Sequence, residues 1–315
     1  MSNNNIICNV DTDSIMISKP DGSVWTKEEQ FAFLDALNAE YPDLIRFAHD
    51  GYYDSVLIVK SKNYALKLNP EFAKKKDFNP DGTVKIKTKG SSIRDQKKEP
   101  ALREMMEVLI NEMLGDNNKQ TIVSIYHHYI QEALNVLDIQ RWCTKKTITE
   151  SITDCKGYTQ ADIDSKKFRK NETDVWDAVK NEDGLQQGDK VYLYPTILEN
   201  KIIPGGVSKK TGKPLKDKVV EVTGFKMDKY WNNDHDVQKL VERVHSTVKI
   251  FKTVLDMTQF TDYSASKYYK MIQEGKPFEE IDVIYKEDER IKAEKKAAKA
   301  LKDLTKESED LGLDF

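Results

Sequence analysis

Little in this chain points to a covalent or metal-built framework. Only three cysteines, Cys8, Cys143 and Cys155, occur among 315 residues. That is too few for a disulfide framework, and their spacing fits no zinc module, so a reducing compartment is the default. No run approaches the ~18 apolar residues of a membrane span, so no membrane partner is expected. The opening residues 1–10 have neither a basic start nor a long apolar stretch and do not read as a signal peptide. Net charge is only -3, which excludes a bulk electrostatic attraction to nucleic acid; any basic surface has to be local. Hydrophobic residues are sparse, at 38%, while charged residues make up 33%. Modest cores with long solvated helices or arms follow, and the length suggests two domains.

What is present begins early. Ile6, Ile7, Cys8 and Val10 form an apolar run that ends in Asp11-Thr12-Asp13-Ser14, and Ile15-Met16-Ile17 resumes it. This pattern predicts a β-hairpin with an aspartate-bearing turn. Two carboxylates at such a tip repel each other while their apolar neighbours reduce hydration. They call for a cation or for partial protonation, and hard oxygen donors suit Mg²⁺. Taken alone, Asp-x-Asp also reads as an ordinary polar turn. A strand followed by Asp-x-Asp also opens phosphatases of the haloacid dehalogenase type, where the first aspartate is a nucleophile. Those run from the strand into a loop and helix, whereas Ile15–Ile17 predicts a return strand.

Residues 50–98 add charge. Ser55–Lys60 and Lys62–Lys67 read as strands, and Lys85–Gly90 follows a turn at Asn79-Pro80-Asp81-Gly82. Between 60 and 98 lie eleven lysines and one arginine against four acids, a local excess of eight positive charges. Lysine-rich strands and turns are the electrostatic footprint of phosphate-backbone binding. Lys74-Lys75-Lys76 reads better as a solvated loop. Lys62, Tyr64 and Lys89-Gly90 do not: a tyrosine beside lysines offers a planar surface, and a glycine permits close approach of a sugar-phosphate.

The order and spacing of these pieces resemble family B DNA polymerases. The hairpin with Asp11-Thr12-Asp13-Ser14 is similar to motif C, Lys62-Asn63-Tyr64 to the Lys-x-Tyr element, and residues 85–94 with Pro100 to the palm–thumb junction. Cys8-Asn9-Val10 departs from the family's frequent Tyr-Gly before the acids. The resemblance implies an α+β fold: a partial polymerase palm with its antiparallel hairpin, then a mostly helical thumb with small β hairpins. It implies Asp13 as the direct metal ligand and Asp11 as an assisting carboxylate, in a two-Mg²⁺ site shared with a partner chain. It implies Lys62, Tyr64, Lys89, Gly90 and Arg94 as primer–template contacts. Motif A, the fingers and an exonuclease precede motif C in the family, and only about ten residues precede it here. The expectation is therefore the C-terminal half of a split polymerase, using dNTPs and active only with an N-terminal chain that carries those parts. A split gene suggests a phage and work in a bacterial cytoplasm. The rivals are a non-catalytic DNA-binding accessory with the same fold, the phosphatase, and an inactive remnant.

The expected division is palm remainder at 1–98, thumb at 99–283, charged helical arm at 284–308 and a terminal peptide at 309–315. Apolar residues at 3–4 spacing predict helices from Pro100 to Leu114 and across Ile122–Leu137. Adjacent His127 and His128 point to different sides of a helix and read as structural. Residues 190–195 predict a strand, 201–225 one or more hairpins, and 234–257 a helix whose Lys239, Arg243, Lys249 and Lys252 could line DNA but read better as a solvated face. The end of the chain puts Leu311, Leu313 and Phe315 on a polar arm. A short apolar anchor on a tether occupies a pocket on another protein, and in the family such an end binds the sliding clamp.

Overall fold

Alternating apolar residues pair the first two strands. In this computed structural model β1 (Ile6–Asp11) runs antiparallel to β2 (Ser14–Ser18), with Val10 opposite Ile15 and Asp11 opposite Ser14. The structure describes residues 5–310 except 12, 43, 150–156, 168–169 and 181. Among the described residues the fold is mixed α+β, with eight helices and three small antiparallel sheets. The chain divides into two compact units, one running to Arg94 and including Met113–Asp116, the other holding Asp95–Glu112 and the chain from Asn117 onward.

In the first unit the hairpin is followed by α1 (Lys27–Ala39). Thr26 and Glu29 form a reciprocal capping box at its start, satisfying two backbone donors. A second sheet then forms a meander, β3 (Tyr53–Lys60), β4 (Asn63–Leu68) and β5 (Ile86–Lys89), with β4 in the middle. The central position explains why Asn63, Tyr64, Ala65, Leu66 and Leu68 are all buried, while only Lys67 of that strand reaches solvent. Leu57, Val59 and Ile93 complete this core.

The second unit is built on helices. α2 (Pro100–Leu114) starts at its proline, which has no backbone N–H to leave unpaired. α3 (Lys119–Leu134) is capped by Asn118. It stops short of the predicted end, and Leu137 lies beyond it, 92% exposed. β6 (Thr144–Thr147) pairs with β7 (Lys190–Ile203), which pairs with β8 (Lys218–Met227) in one long hairpin. Helices α4 (Gln160–Asp164) and α5 (Lys170–Val179) lie between β6 and β7 in sequence, and Val175 and Val179 of α5 pack on Val191, Leu193 and Met227 of the sheet. The helix read across 234–257 ends early: α6 covers Val237–Val248, and a tight turn at Lys249–Phe251 follows. Hydrogen bonds there shift to i→i+3, which keeps Phe251 fully buried. α6 packs on α3. α7 (Ser266–Gln273) and the long α8 (Phe278–Asp310) end the described chain. From Ile291 to Lys302 every residue of α8 is exposed. No helix among the described residues is long and apolar enough to cross a membrane.

Candidate active site

The site is assembled from both sheets of the first unit. β2 returns directly along β1, the predicted return strand, where the phosphatase arrangement would continue into a loop and helix. The turn leaves Asp11 and Asp13 in different surroundings. Asp11 is nearly enclosed, its side chain only 7% exposed. Its Oδ2 accepts from Lys89 Nζ at 2.6 Å and stands 3.5 Å from the Tyr64 hydroxyl. Asp13 is exposed in the turn.

Strand register brings these groups together. Tyr64 of β4 lies opposite Lys89 of β5, so both reach toward Asp11 although they are 53 and 78 residues away in sequence. The Lys89 ammonium also sits 5.8 Å from the Tyr64 ring centre. The hydrogen bond to Asp11, reinforced by Tyr64, holds the Lys89 pKa above its ordinary value. The Lys89 side chain is still 56% exposed, so part of its ammonium is open to an incoming anion.

The remaining candidates are placed as follows. Lys62 is exposed in the β3–β4 turn, at φ 58°, a left-handed conformation that costs a non-glycine residue about 1 kcal/mol or more. Gly90, at φ 106°, abuts that turn: a Cβ there would run into Asn63 Oδ1 and the Lys62 carbonyl. The close approach that Gly90 permits is thus to the chain's own backbone, where the sequence suggested a sugar-phosphate. The Tyr64 ring is buried in the sheet, so it presents no planar face to a ligand, and its hydroxyl is turned toward Asp11. Arg94 is exposed just past the turn that Gly90 starts. Leu311, Leu313 and Phe315 lie outside the described residues, as does Cys155.

Asn63 was missed. It sits between Lys62 and Tyr64, and its Oδ1 accepts from Ser92 N at 3.0 Å while its Nδ2 donates to Ser61 O at 3.0 Å. That side chain ties the β3–β4 turn to the segment after β5, and so positions Lys62, Tyr64 and Lys89 together. The only hint in the sequence was an amide beside a turn. In the second unit, His127 faces Asp282 and the Tyr263 hydroxyl, while His128 packs against the Tyr129 ring.

Asp13, exposed at the turn, is a hard oxygen donor of the kind Mg²⁺ takes, with water or phosphate oxygens completing its octahedron, while Asp11 is engaged with Lys89. No group of three His, Cys, Asp or Glu side chains suited to a metal occurs among the described residues. No family model matches the chain, and no curated protein matches it.

Proposed function

We propose that this chain supplies the motif C hairpin and the thumb of a family B DNA-directed DNA polymerase. It acts with a complementary polypeptide that carries motif A, the fingers and an exonuclease-like segment. The observation that carries this reading is the meeting of Asp11 with Tyr64 and Lys89. The resemblance assigns one to the catalytic hairpin and the other two to primer–template contact, and they come from separate sheets.

In this reading Asp13, exposed at the turn, is the direct magnesium ligand, and Asp11, held by Lys89, steadies the turn from behind. When bound, two magnesium ions lower the pKa of the primer 3′-hydroxyl and neutralise charge on the α-phosphate and the departing pyrophosphate. Lys62, Lys89 and Arg94 provide positive charge for the primer–template backbone, giving affinity and register without sequence readout. Gly90 and Asn63 fix the turn that presents Lys62. The clamp contact through Leu311, Leu313 and Phe315, and a setting in the cytoplasm of a phage-infected bacterium, belong to the same proposal.

One observation favours the accessory reading. A lysine that neutralises Asp11 removes charge that a metal site would use, as suits a chain that grips DNA without supporting synthesis. Primer extension decides between them. The chain is mixed with the polypeptide that co-purifies with it from its native source. Incorporation of dNTPs is expected with both and with neither alone. Asp13→Ala is expected to lower the rate by at least about a hundredfold, the scale of losing one transition-state electrostatic partner, while the two chains still co-elute. Incorporation at the wild-type rate by Asp13→Ala would remove it from the metal site. Duplex binding with no incorporation in any combination would leave the accessory.

A further inference from the structure

A cavity of about 510 Å³ lies in the second unit, walled by α6, α7, α8 and residues 257–265. That volume is within the usual range for a small-molecule site. His245 lines it from α6, and the His245 side chain is only 5% exposed. Its Nδ1 donates to the Tyr126 hydroxyl at 3.1 Å, and that hydroxyl donates to Thr261 O at 2.6 Å. The neutral ring therefore carries its lone pair on Nε2. Nε2 has no hydrogen-bond partner among the described residues. Asp262 Oδ2, on the same cavity wall, stands 3.8 Å from it and is itself an acceptor. Burial lowers the His245 pKa, so at neutral pH the ring does not supply the missing proton itself. Buried polar atoms are nearly always paired, and two acceptors facing each other call for a shared donor.

The charges of the wall decide the sign of that donor. On α8, Asp288 takes the Lys267 ammonium and the Tyr268 hydroxyl, and Glu289 takes Lys292 at 3.1 Å. Asp262 spends its Oδ1 on Ser264 N and Oγ and meets no lysine or arginine among the described residues. Its charge is thus left uncompensated beside the His245 lone pair. The one unpaired lysine of the wall, Lys249, is exposed. Burial, followed by the charges of Glu289, Asp262 and Asp256, pushes the Tyr285 hydroxyl above its ordinary pKa, which agrees with a negative interior. The Tyr268 and Tyr285 rings meet edge to face at 5.5 Å on this wall, and tyrosine rings attract a cation.

A bare metal ion fits less well, because no third His, Cys, Asp or Glu joins these two in a metal-holding group among the described residues. An ammonium group fits, since it carries three N–H donors and a positive charge. We propose that this cavity binds a small aliphatic amine in its ammonium form. Its N–H groups bridge His245 Nε2 and Asp262 Oδ2, and its carbon chain lies along Met257, Tyr268 and Tyr285. This does not rest on the polymerase reading, because every lining residue belongs to the second unit and none has a part in the site of the first.

The test is isothermal titration calorimetry of the full chain with putrescine at neutral pH. Saturable binding is expected, and butanediol, the neutral diol of the same length, is expected not to bind. Asp262→Asn is expected to weaken putrescine at least about tenfold, the scale of losing a charged hydrogen-bond partner. Ala265→Leu adds bulk to a lining position and leaves both acceptors in place, so it should block binding even where the Asp262 variant folds poorly. Lys249→Ala removes the exposed lysine of the wall and should leave the affinity equal or tighter. Nitrogen NMR of isotope-labelled histidine side chains gives a direct reading: the His245 Nε2 resonance should move on adding putrescine. No saturable binding at millimolar putrescine, equal binding of the diol, wild-type affinity in Asp262→Asn, or an unmoved His245 resonance would each overturn the proposal. A loss of binding in Lys249→Ala would overturn it too, by assigning the cavity to an anionic ligand.

Discussion

The β1–β2 hairpin and the helical core of the second unit are held in opposite ways. In the hairpin no described residue is fully buried, and the face that carries Ile7, Val10 and Ile15 leaves them 63%, 62% and 50% exposed. The opposite face carries Asp11, and its attachment is polar, through Lys89 and Tyr64. In the helical core, Leu102, Leu109, Ile130, Val244 and Phe251 are completely enclosed. A two-stranded hairpin is marginal by itself in water, so the acid-bearing turn depends on charged contacts to a neighbouring sheet. The helices depend on close packing. The hairpin that bears the two aspartates thus gains less from burial than the helical core does, and substitutions in the two places should differ in size and in kind.

The largest expected effect comes from the core. Phe251→Ala removes a ring with no exposure and leaves a cavity, at a cost of roughly 3–5 kcal/mol. Urea denaturation is expected to show the midpoint falling with the m-value little changed. A loss below about 1 kcal/mol would mean that this core is loosely packed and the contrast is overdrawn.

Next comes the Glu99–Arg243 pair. The Glu99 side chain is buried and paired with Arg243 of α6. The sequence read Arg243 as part of a solvated face, but its guanidinium is committed inside the unit. Arg243→Met leaves a carboxylate enclosed without its partner, which costs about 3 kcal/mol or more. The E99Q/R243M double variant should recover most of that loss, because it leaves no orphan charge. A double variant as unstable as the single would show that the packing of the arginine stem matters more than the charge.

These examples show what the sequence could and could not reveal. The hairpin, the meander and α2 were legible because period-2 and 3–4 apolar spacing and Pro100 are local signals. α1 was passed over although Thr26 and Glu29 carry a capping signature, since the helix has no strong apolar stripe and buries only Gln30. The stop at Val248 was illegible because it is set by where Phe251 packs. At the site, the acid-bearing turn was visible in Asp11 and Asp13. The Lys89–Asp11 contact was not, because strand register brings together residues 78 positions apart. The Lys-x-Tyr element was visible as a pattern, yet the role of its middle residue, Asn63, exists only once Gly90 folds against it.

A smaller effect separates the regions by pH. His245 of α6 is enclosed between Tyr126 of α3, Asp262 and Lys249 of the turn that follows. The Tyr126 hydroxyl donates to Thr261 O at 2.6 Å, so it accepts from His245 Nδ1, at 3.1 Å. Burial lowers the His245 pKa, against the pull of Asp262. The folded chain therefore holds it neutral while the unfolded chain protonates it near the ordinary value. Its contribution to stability is complete above that value and declines as pH falls below it, by at most about 1.4 kcal/mol per pH unit. Melts at pH 7.5 and pH 5.5 should show the loss, and His245→Gln should flatten it. The raised Lys89 pKa means that the lysine's contribution to the hairpin pair is present at neutral pH and is lost at the alkaline end, as the ammonium deprotonates. An undiminished acid loss in His245→Gln would assign it to another group, with His235, also lowered by burial, as the next to examine.

The smallest effect sharpens the comparison most. Val10 and Ile15 face each other across β1 and β2 and are both at least half exposed, so V10S/I15S removes little buried area. Substitutions at surfaces of this kind usually change stability by no more than about 0.5 kcal/mol each, and some loss of strand preference is included in that figure. The chain alone should therefore unfold at nearly the wild-type urea concentration, and hydrogen exchange in α2, α3 and α6 should be unchanged. What should change is local: amides of β1 and β2 should exchange faster, because the hairpin then leans more on polar ties such as those of Asp11 with Lys89 and Tyr64. A loss approaching that of Phe251→Ala would mean that this face is covered in solution and that the hairpin is packed as firmly as the helices.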